Sequence, residues 1–542
     1  MRLKLEKLTL RERIAQTGMI APSELIKGAA ECGGWAEYFQ KYPFSGVYLN
    51  FSCRDMEGNP FDHPLKLGEM IRDASVKAKI PLLVTCDEES GGDLSFPGHL
   101  HPISPNLAVG AAGSEELAYW RTYYWAKEMR SFGVNWVFGP VVDLVRNFFK
   151  AGSLRSLGYD HELLERLVPH MIRGIHDAGL ADCVKHYPSG GTDYRDSHFS
   201  STTNDTTCED WYKNNFPVWK AAVDAGTSSI MTSHAAVPAF DPSCAREGVP
   251  RPGTASKPVL DIIRNELNYD GIVITDAVSM KGLAAAFEPD DIYIECFNAG
   301  NDIILFCRND YIDVMEKAVK DGRVSEARIN ESCRRVLDLK EKLGLFEGVP
   351  APVMPTKEDV KALEQACYNV SRAALTLINN KGNMIPFDPK KVKKVGIIKL
   401  SPSTIFDMAL DDLAGNFEAR GMEVALHTGV LKKDDLIELD RTCDIIVYAC
   451  YLASGDPRGM MFYTGAELSS LFNTLSYGAS KSVVVSFGDP SIYYNYFENA
   501  DAFINAYAKD AGTMKAFVDG ILGDFEFTGK SPIPLRPKFL FD

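Results

Sequence analysis

The segment from residue 185 to residue 198 carries the side chains best suited to proton transfer in this 542-residue sequence. It starts like a strand, breaks at Pro188 and ends in Asp196-Ser197-His198. Residues i and i+2 of an extended backbone point the same way, so Asp196 can hold one nitrogen of His198 and direct the other outward. An imidazole held in this way suits general acid–base catalysis. The competing interpretation is a chance Asp-x-His in a polar loop.

A second candidate is the carboxylate that ends the apolar run 271–276. The run predicts a strand with Asp276 at its C-terminal end. Such a carboxylate could act as a nucleophile or as a metal ligand. It could also be the N-cap of a helix that starts at Ala277, because aspartate favours that position. All three interpretations stay open on these residues alone.

Two further segments could bind a polar ligand. Asp87 ends another apolar run, and Glu88-Glu89-Ser90-Gly91-Gly92 follows it. This acidic, glycine-containing segment lacks the spacing of a phosphate-binding loop. Arg155 stands in an otherwise uncharged stretch, 153–158, as a surface residue or as a donor to ligand hydroxyls.

The sequence gives no support for a metal or a cofactor. His186, Asp193, Asp196 and His198 fit no standard ligand spacing, and the 12 cysteines form no C-x-x-C pair. We therefore expect neither a metal site nor a cofactor.

Apolar runs alternate with helical patterns over the first two thirds of the chain, as expected for strands covered on both faces. The runs are 46–51, 81–87, 134–144, 182–186, 229–234, 271–276 and 302–306. A (β/α) barrel and a doubly wound sheet both produce this alternation. Polar groups recur at five run ends, which favours the barrel, where chemistry collects at the C-terminal ends of several strands. These groups are Asp87, Asp143, Lys185-His186, His234 and Asp276.

A proline-rich segment divides the chain. Three prolines within 347–355 cannot continue a helix and predict a linker. We expect a barrel domain over 1–346, a linker over 347–358 and a smaller α/β sandwich domain over 359–542. Strand-like runs at 395–398, 445–450, 483–487 and 502–504 support the second domain.

Charge and hydropathy exclude several classes of partner. The formal net charge of −15 argues against nucleic acid or an anionic membrane surface as the main partner. The basic N-terminus has no apolar core of a secretory signal, and no apolar run approaches the length that spans a bilayer. We therefore expect a cytoplasmic protein without membrane or nucleic-acid partners. Whether it forms a homo-oligomer stays open.

Taken together, these segments resemble glycoside hydrolase family 3, in particular its β-N-acetylglucosaminidase branch. The loop matches the branch pattern K-H-[FY]-P-G-H-G-x-x-x-x-D-S-H in length, with Ser189 and Gly190 where the branch usually has Gly and His. The strand ending in Asp276, followed by Met280, resembles the family's nucleophile strand. Segments 133–143, 231–234 and 298–302 also resemble family segments.

The resemblance implies a (β/α)8-type, TIM-like barrel followed by an α/β sandwich, and a carbohydrate substrate. It implies roles by position. Asp276 would be the nucleophile and His198 the acid/base, oriented by Asp196. The sugar would be held by Asp87, Arg155, Lys185 and His186. The expected activity is retaining, exo-acting hydrolysis of terminal β-linked N-acetylglucosamine.

Three alternatives stay open. A β-N-acetylglucosaminide phosphorylase could use the same site, because an imidazole, unlike a carboxylate, does not repel phosphate. A β-glucosidase or β-xylosidase would keep the family and change the sugar, although such branches usually lack the Asp-Ser-His loop. The non-enzyme alternative is an inactive sugar-binding barrel.

Overall fold

A ring of short parallel strands lies at the centre of the N-terminal part of the computed structural model. The described residues are 5–50, 63–87, 89, 96, 98–146, 153–245, 248–401, 408–452, 462–474 and 481–535. Eight ring strands occur within this part: β1 Gly18–Ile20, β2 Gly46–Tyr48, β3 Leu83–Asp87, β4 Trp136–Phe138, β5 Val184–Tyr187, β6 Ser229–Thr232, β7 Ile272–Thr275 and β8 Ile304–Cys307.

The ring closes in chain order. One sheet has the order β4-β3-β2-β1-β8 and another the order β5-β6-β7, with all neighbours parallel. Parallel bridges Trp136↔Ala181 and Ile274↔Ile303 join the two sheets. A doubly wound sheet has two open edges, so this closure confirms the predicted barrel.

Helices separate the strands, as a barrel requires. Up to the end of the barrel they are α1 Leu10–Ala15, α2 Pro22–Cys32, α3 Trp35–Lys41, α4 Pro64–Lys77, α5 Asn106–Ala112, α6 Glu115–Met129, α7 His161–Asp177, α8 Cys208–Asn214, α9 Phe216–Asp224, α10 Lys257–Asn265, α11 Lys281–Ala284, α12 Pro289–Ala299, α13 Tyr311–Lys320 and α14 Glu326–Lys342.

The strands are buried because side chains cover both of their faces. All four residues of β6 and of β7 are buried. The barrel interior is filled by large apolar side chains, among them Trp136, Phe138 and Ile274. The near-continuous apolar runs in the sequence are the direct consequence of this double coverage.

Strand β1 was missed by the sequence analysis. It has three residues, too few to show a period, and Gly18 weakens any strand pattern. The structure explains the glycine, because a Cβ on Gly18 would lie 2.6 Å from the ring of Tyr311. The close approach of Tyr311 to the backbone at position 18 therefore explains the glycine.

The C-terminal part contains a six-stranded sheet in the order β11-β10-β12-β13-β14-β9, parallel except for the β14–β9 pair. Its strands are β9 Thr376–Asn380, β10 Lys394–Leu400, β11 Glu423–His427, β12 Ile445–Cys450, β13 Ser482–Ser486 and β14 Ala502–Asn505. Its helices are α15 Lys357–Ala374, α16 Asp411–Glu418, α17 Lys433–Thr442, α18 Gly465–Thr474 and α19 Ala511–Ile521. Two apolar clusters share the side chains of these strands, which confirms the predicted α/β domain.

Contacts divide the chain into two compact units. Unit 1 consists of Met1–His101, Thr122–Arg146 and Leu164–Ala362, and unit 2 of Pro102–Arg121, Asn147–Leu163 and Leu363–Asp542. Residues 348–356, within the predicted linker, have no regular secondary structure. The boundaries at 346 and 359 stay predictions, since unit 2 also takes in two earlier segments.

Candidate active site

A buried lysine joins two carboxylates at the C-terminal ends of the barrel strands. Lys185 on β5 is 1% exposed, and its Nζ lies 2.5 Å from Oδ1 of Asp87 and 2.8 Å from Oε1 of Glu89. The hydroxyl of Tyr48, on β2, donates to Oδ2 of Asp87. Burying an ammonium group is costly unless it is paired, and these carboxylates supply the pairing.

The register of strand β5 is irregular where two polar residues, Lys185 and His186, follow each other. Lys185 is in register with Met231 and Tyr187 with Thr232, so His186 is an additional residue in this strand. Such bulges re-aim side chains next to functional sites. Lys185 contacts Asp87, while His186 lies near Asp276.

His186 lies between two carboxylates. Its Nδ1 is 2.8 Å from Oδ2 of Asp143, whose Oδ1 accepts the backbone N–H of His186 at 3.3 Å. Its Nε2 is 3.9 Å from Oδ2 of Asp276. Asp143 therefore orients the ring toward Asp276.

Asp276 follows β7 directly and its side chain is 22% exposed. Its Oδ1 accepts the N–H of Ala277 at 2.7 Å. Burial raises the pKa of Asp276, but electrostatic interaction with His186 and His234 and the hydrogen bond from the Ala277 N–H outweigh burial, so the pKa lies below its ordinary value. The carboxylate is thus held ionised, as a nucleophile requires.

His234 is a buried neighbour of Asp276. It follows β6, is 2% exposed, and its Nε2 donates to the carbonyl oxygen of Ala277 at 3.0 Å. Burial lowers the pKa of His234; the charge of Asp276 opposes this effect, and the charges of His186 and His198 add to it. His234 therefore lies beside the residue that follows Asp276, while His186 approaches the Asp276 carboxylate itself.

Asp196 and His198 contact each other, but within a turn and not in the extended backbone that the spacing argument assumed. Nδ1 of His198 lies 2.7 Å from Oδ1 of Asp196, and the backbone N–H of His198 donates to the same oxygen at 2.9 Å. The side chain of His198 is 44% exposed and that of Asp196 is 20% exposed. With Nδ1 directed at the carboxylate, Nε2 is the ring nitrogen suited to exchange a proton with a ligand.

The loop that carries the dyad is attached to two other strand ends. The N–H of Asn204 donates to the carbonyl of Ala236, beyond β6, at 2.7 Å. At α11, beyond β7, Lys281 N–H donates to His198 O at 3.1 Å and Gly282 N–H donates to Ser197 O at 2.9 Å. The loop with the dyad is therefore held by the segment that follows Asp276.

The departure at Ser189 has a structural cost. Its φ is +90°, in the region that favours glycine, which is the residue usual in the branch. Its Oγ accepts the N–H of Leu144 at 3.1 Å, and its carbonyl accepts from Asn204 at 2.6 Å. These hydrogen bonds compensate for the unfavourable backbone conformation.

Arg155 lies in unit 2, at the end of a 3₁₀ helix, Ser153–Arg155, and its carbonyl accepts from Asn106 at 2.9 Å. Its predicted contact with a sugar stays a prediction. Of the segment after Asp87, residues 88 and 90–95 lie outside the described residues.

Within the described ranges, no group of three or more His, Cys, Asp or Glu side chains is placed to hold a metal ion. In the same part of the chain, no helix is both long enough and apolar enough to cross a membrane.

Sequence reasoning did not assign four residues of this cluster. Asp143 and His234 carried a signal, since both follow apolar runs, but their partners were not identified. Glu89 stood in the acidic segment after Asp87, but its contact with Lys185 was not identified; Tyr48 carried no signal of its own, because its contact with Asp87 arises only from the barrel register. The assembled cluster offers an ionised carboxylate, an imidazole suited to proton transfer and several polar groups for ligand hydroxyls.

Comparison with known proteins gives a family match and many similar proteins, of which three are described below. Residues 9–339 match the family model described as "Glycosyl hydrolase family 3 N terminal domain". A Cellulomonas fimi protein named beta-N-acetylglucosaminidase/beta-glucosidase is 26% identical over 493 residues, 84% of each chain. A solved glycoside hydrolase family 3 beta-N-acetylglucosaminidase from Paenibacillus sp. str. FPU-7 has a TM-score of 0.82 at 24% identity, covering 97% of this chain and 99% of its own. Beta-glucoside phosphorylase BglX also has a TM-score of 0.82, at 20% identity, covering 98% of this chain and 94% of its own. The two structural likenesses show a shared fold.

Proposed function

Because this chain belongs to glycosyl hydrolase family 3, we propose that it is a retaining, exo-acting β-N-acetylglucosaminidase that removes terminal β-linked N-acetylglucosamine. The family and the glycoside hydrolase class that the motifs predicted are confirmed by the match over most of the barrel. The names of the Cellulomonas fimi and Paenibacillus relatives support the choice of sugar.

The observation that carries the proposal is that the Asp276 carboxylate lies beside His186 and that the helix beyond it, α11, binds the backbone of the loop with the Asp196–His198 dyad. In the first step, a carboxylate oxygen of Asp276 bonds to the anomeric carbon as the bond from that carbon to the leaving oxygen breaks. The protonated imidazole of His198 gives its proton to that oxygen. The products of this step are a glycosyl-enzyme and a neutral imidazole.

In the second step, water reverses the roles. The neutral His198 takes a proton from water, whose oxygen bonds to the anomeric carbon while the ester bond to Asp276 breaks. Two inversions at the same carbon give net retention. Asp196 stabilises the imidazolium at both stages through its 2.7 Å contact with Nδ1.

Recognition of the sugar is assigned to the polar groups around Lys185. The Lys185 ammonium and the Asp87 carboxylate form a donor–acceptor pair of the kind that binds neighbouring hydroxyls. His186 offers its ring next to Asp276. Arg155 belongs to the same proposal, on the basis of its position in the motif alone.

A phosphorylase is the second candidate, and the exposed imidazole of His198 favours it. Once His198 has given up its proton it is uncharged, so an incoming phosphate meets no repelling carboxylate at that position. Phosphate would then replace water in the second step, yielding a sugar 1-phosphate. A structural neighbour of this chain is named as a phosphorylase of beta-glucosides.

One experiment separates these functions. The purified protein is incubated with an aryl β-N-acetylglucosaminide, with and without phosphate, and products are followed by proton NMR. Free sugar released first as the β-anomer supports the proposal, whereas sugar 1-phosphate supports phosphorolysis. Preference for the matching glucoside or xyloside contradicts the choice of sugar. Turnover of none of these glycosides indicates an inactive sugar-binding barrel.

The nucleophile has its own control. Asp276→Ala removes the attacking oxygen, so turnover falls to background while the folded state, checked by circular dichroism, stays intact.

A cytoplasmic location and a role in carbohydrate metabolism complete the proposal. Fractionation of cells that make the native protein tests the location.

A further inference from the structure

The loop that carries the dyad also carries the most exposed large apolar side chain among the described residues. Phe199 is 69% exposed, and Tyr194 on the same loop is 50% exposed. The ring of Phe199 lies 6.4 Å from that of His198, centroid to centroid. Single exposed apolar residues are common on protein surfaces. Two aromatic rings on one catalytic loop, one of them adjacent to the acid/base, call for a specific explanation.

The backbone beneath Phe199 is held in place. Its N–H donates to the carbonyl of Asp196 at 3.0 Å, and the preceding carbonyl, of His198, accepts from Lys281 at 3.1 Å. Gly282 also allows close contact with Ser197, since a Cβ there would lie 2.8 Å from the Ser197 carbonyl oxygen. The ring is thus presented to solvent from a fixed support next to the catalytic imidazole.

The chemistry of glycoside cleavage indicates which part of a substrate the Phe199 ring could contact. The acid must reach the oxygen that joins the terminal sugar to its leaving group, so a ring 6.4 Å from that imidazole is within reach of the leaving group. A pyranose ring has C–H groups on its faces, and an aromatic face buries them favourably. A phosphate presents no comparable apolar face.

We propose that Phe199 is the platform of a leaving-group subsite that binds a sugar ring by stacking. This inference rests on the proposed function and deepens it, because it names saccharides as the leaving groups that the enzyme prefers. The proposed platform consists of Phe199 alone and does not include Tyr194.

The test compares two substrates that need the same proton and differ in the ring of the leaving group. They are N,N′-diacetylchitobiose and methyl N-acetyl-β-glucosaminide. Phe199→Ala should lower kcat/KM for the disaccharide about three- to ten-fold, the range expected for one aromatic stacking contact. The value for the methyl glycoside should change less than two-fold, by about the size of the assay error. Phe199→Trp should retain or improve disaccharide cleavage.

The matched control is Phe472→Ala, which removes another highly exposed phenylalanine, 64% exposed, from α18 in unit 2. It should change neither value. Equal loss on both substrates in Phe199→Ala would mean that the residue acts on His198, and would overturn the subsite. No loss on either would overturn it as well. If the unaltered enzyme cleaves neither substrate, the proposed function itself has failed, and the subsite fails with it.

Discussion

Asp143 holds His186 by two contacts, one to the ring at 2.8 Å and one to the backbone N–H at 3.3 Å. Through this pair a residue beyond β4 sets the direction in which a ring on β5 faces Asp276. The orientation of His186 is thus a property of two neighbouring strand ends, not of the Lys-His motif alone.

Asp143→Asn tests this relationship. The change replaces a charge-assisted hydrogen bond by a weaker one, so kcat/KM on N-acetylglucosaminides should fall about ten- to hundred-fold. Steady-state kinetics measures the loss. Asp73→Asn, on an exposed face of α4, serves as the control and should leave turnover unchanged. Normal activity in Asp143→Asn would show that His186 needs no such support.

Gly282 is the second position at which the geometry predicts an effect. A Cβ would lie 2.8 Å from the carbonyl oxygen of Ser197 and 2.9 Å from that of Ser200, so the dyad loop must move in Gly282→Ala. We expect kcat to fall about ten-fold for alkyl glycosides, because they need protonation, and much less for dinitrophenyl glycosides.

The control for this prediction is Gly415→Ala in α16, where a Cβ would meet nothing within 4 Å. Alanine should be tolerated there or even stabilise the helix. An equal fall for both kinds of leaving group in Gly282→Ala would place the defect outside the acid step.

The pH profile should report the lowered pKa of Asp276. Burial raises this pKa, but the neighbouring imidazoles and the Ala277 N–H hold it below its ordinary value, so the nucleophile stays ionised wherever an ordinary aspartate is ionised. With a dinitrophenyl glycoside, which needs little protonation, kcat/KM should therefore keep its plateau between about pH 5 and pH 6. A fall of ten-fold or more across this interval would contradict the assignment.

Lys340 should make stability depend on pH in a different range. It is buried, its Nζ donates to Oε1 of Gln16 at 2.6 Å, and burial lowers its pKa to about 7. The unfolded chain, with its pKa near 10.5, then binds more protons above pH 7, so the free energy of unfolding rises with pH from 7 toward 10.

The expected contribution of Lys340 approaches about 1.4 kcal/mol per pH unit. Urea unfolding at pH 7, 8 and 9 should show this slope as the difference between the unaltered protein and Lys340→Met. Methionine has a similar volume and no charge. Identical slopes in the two proteins would rule out a neutral Lys340 in the folded state.

The local sequence pattern predicted several elements of this structure. The apolar runs around Asp87 and Asp276 predicted buried parallel strands, because a strand covered on both faces can hold few polar residues. The Asp196–His198 contact was predicted for an extended backbone, whereas it forms in a turn in which the N–H of His198 donates to the Asp196 carboxylate.

Contacts between distant residues were decided by the tertiary structure. Lys185 meets Asp87 across 98 positions, and His186 meets Asp143 across 43, only because the barrel register places these strand ends side by side. The missed strand β1 and the support of His198 by α11 have the same origin. A sequence specifies side-chain types and short spacings directly, whereas the distance between remote residues is set by how the whole ring of strands closes.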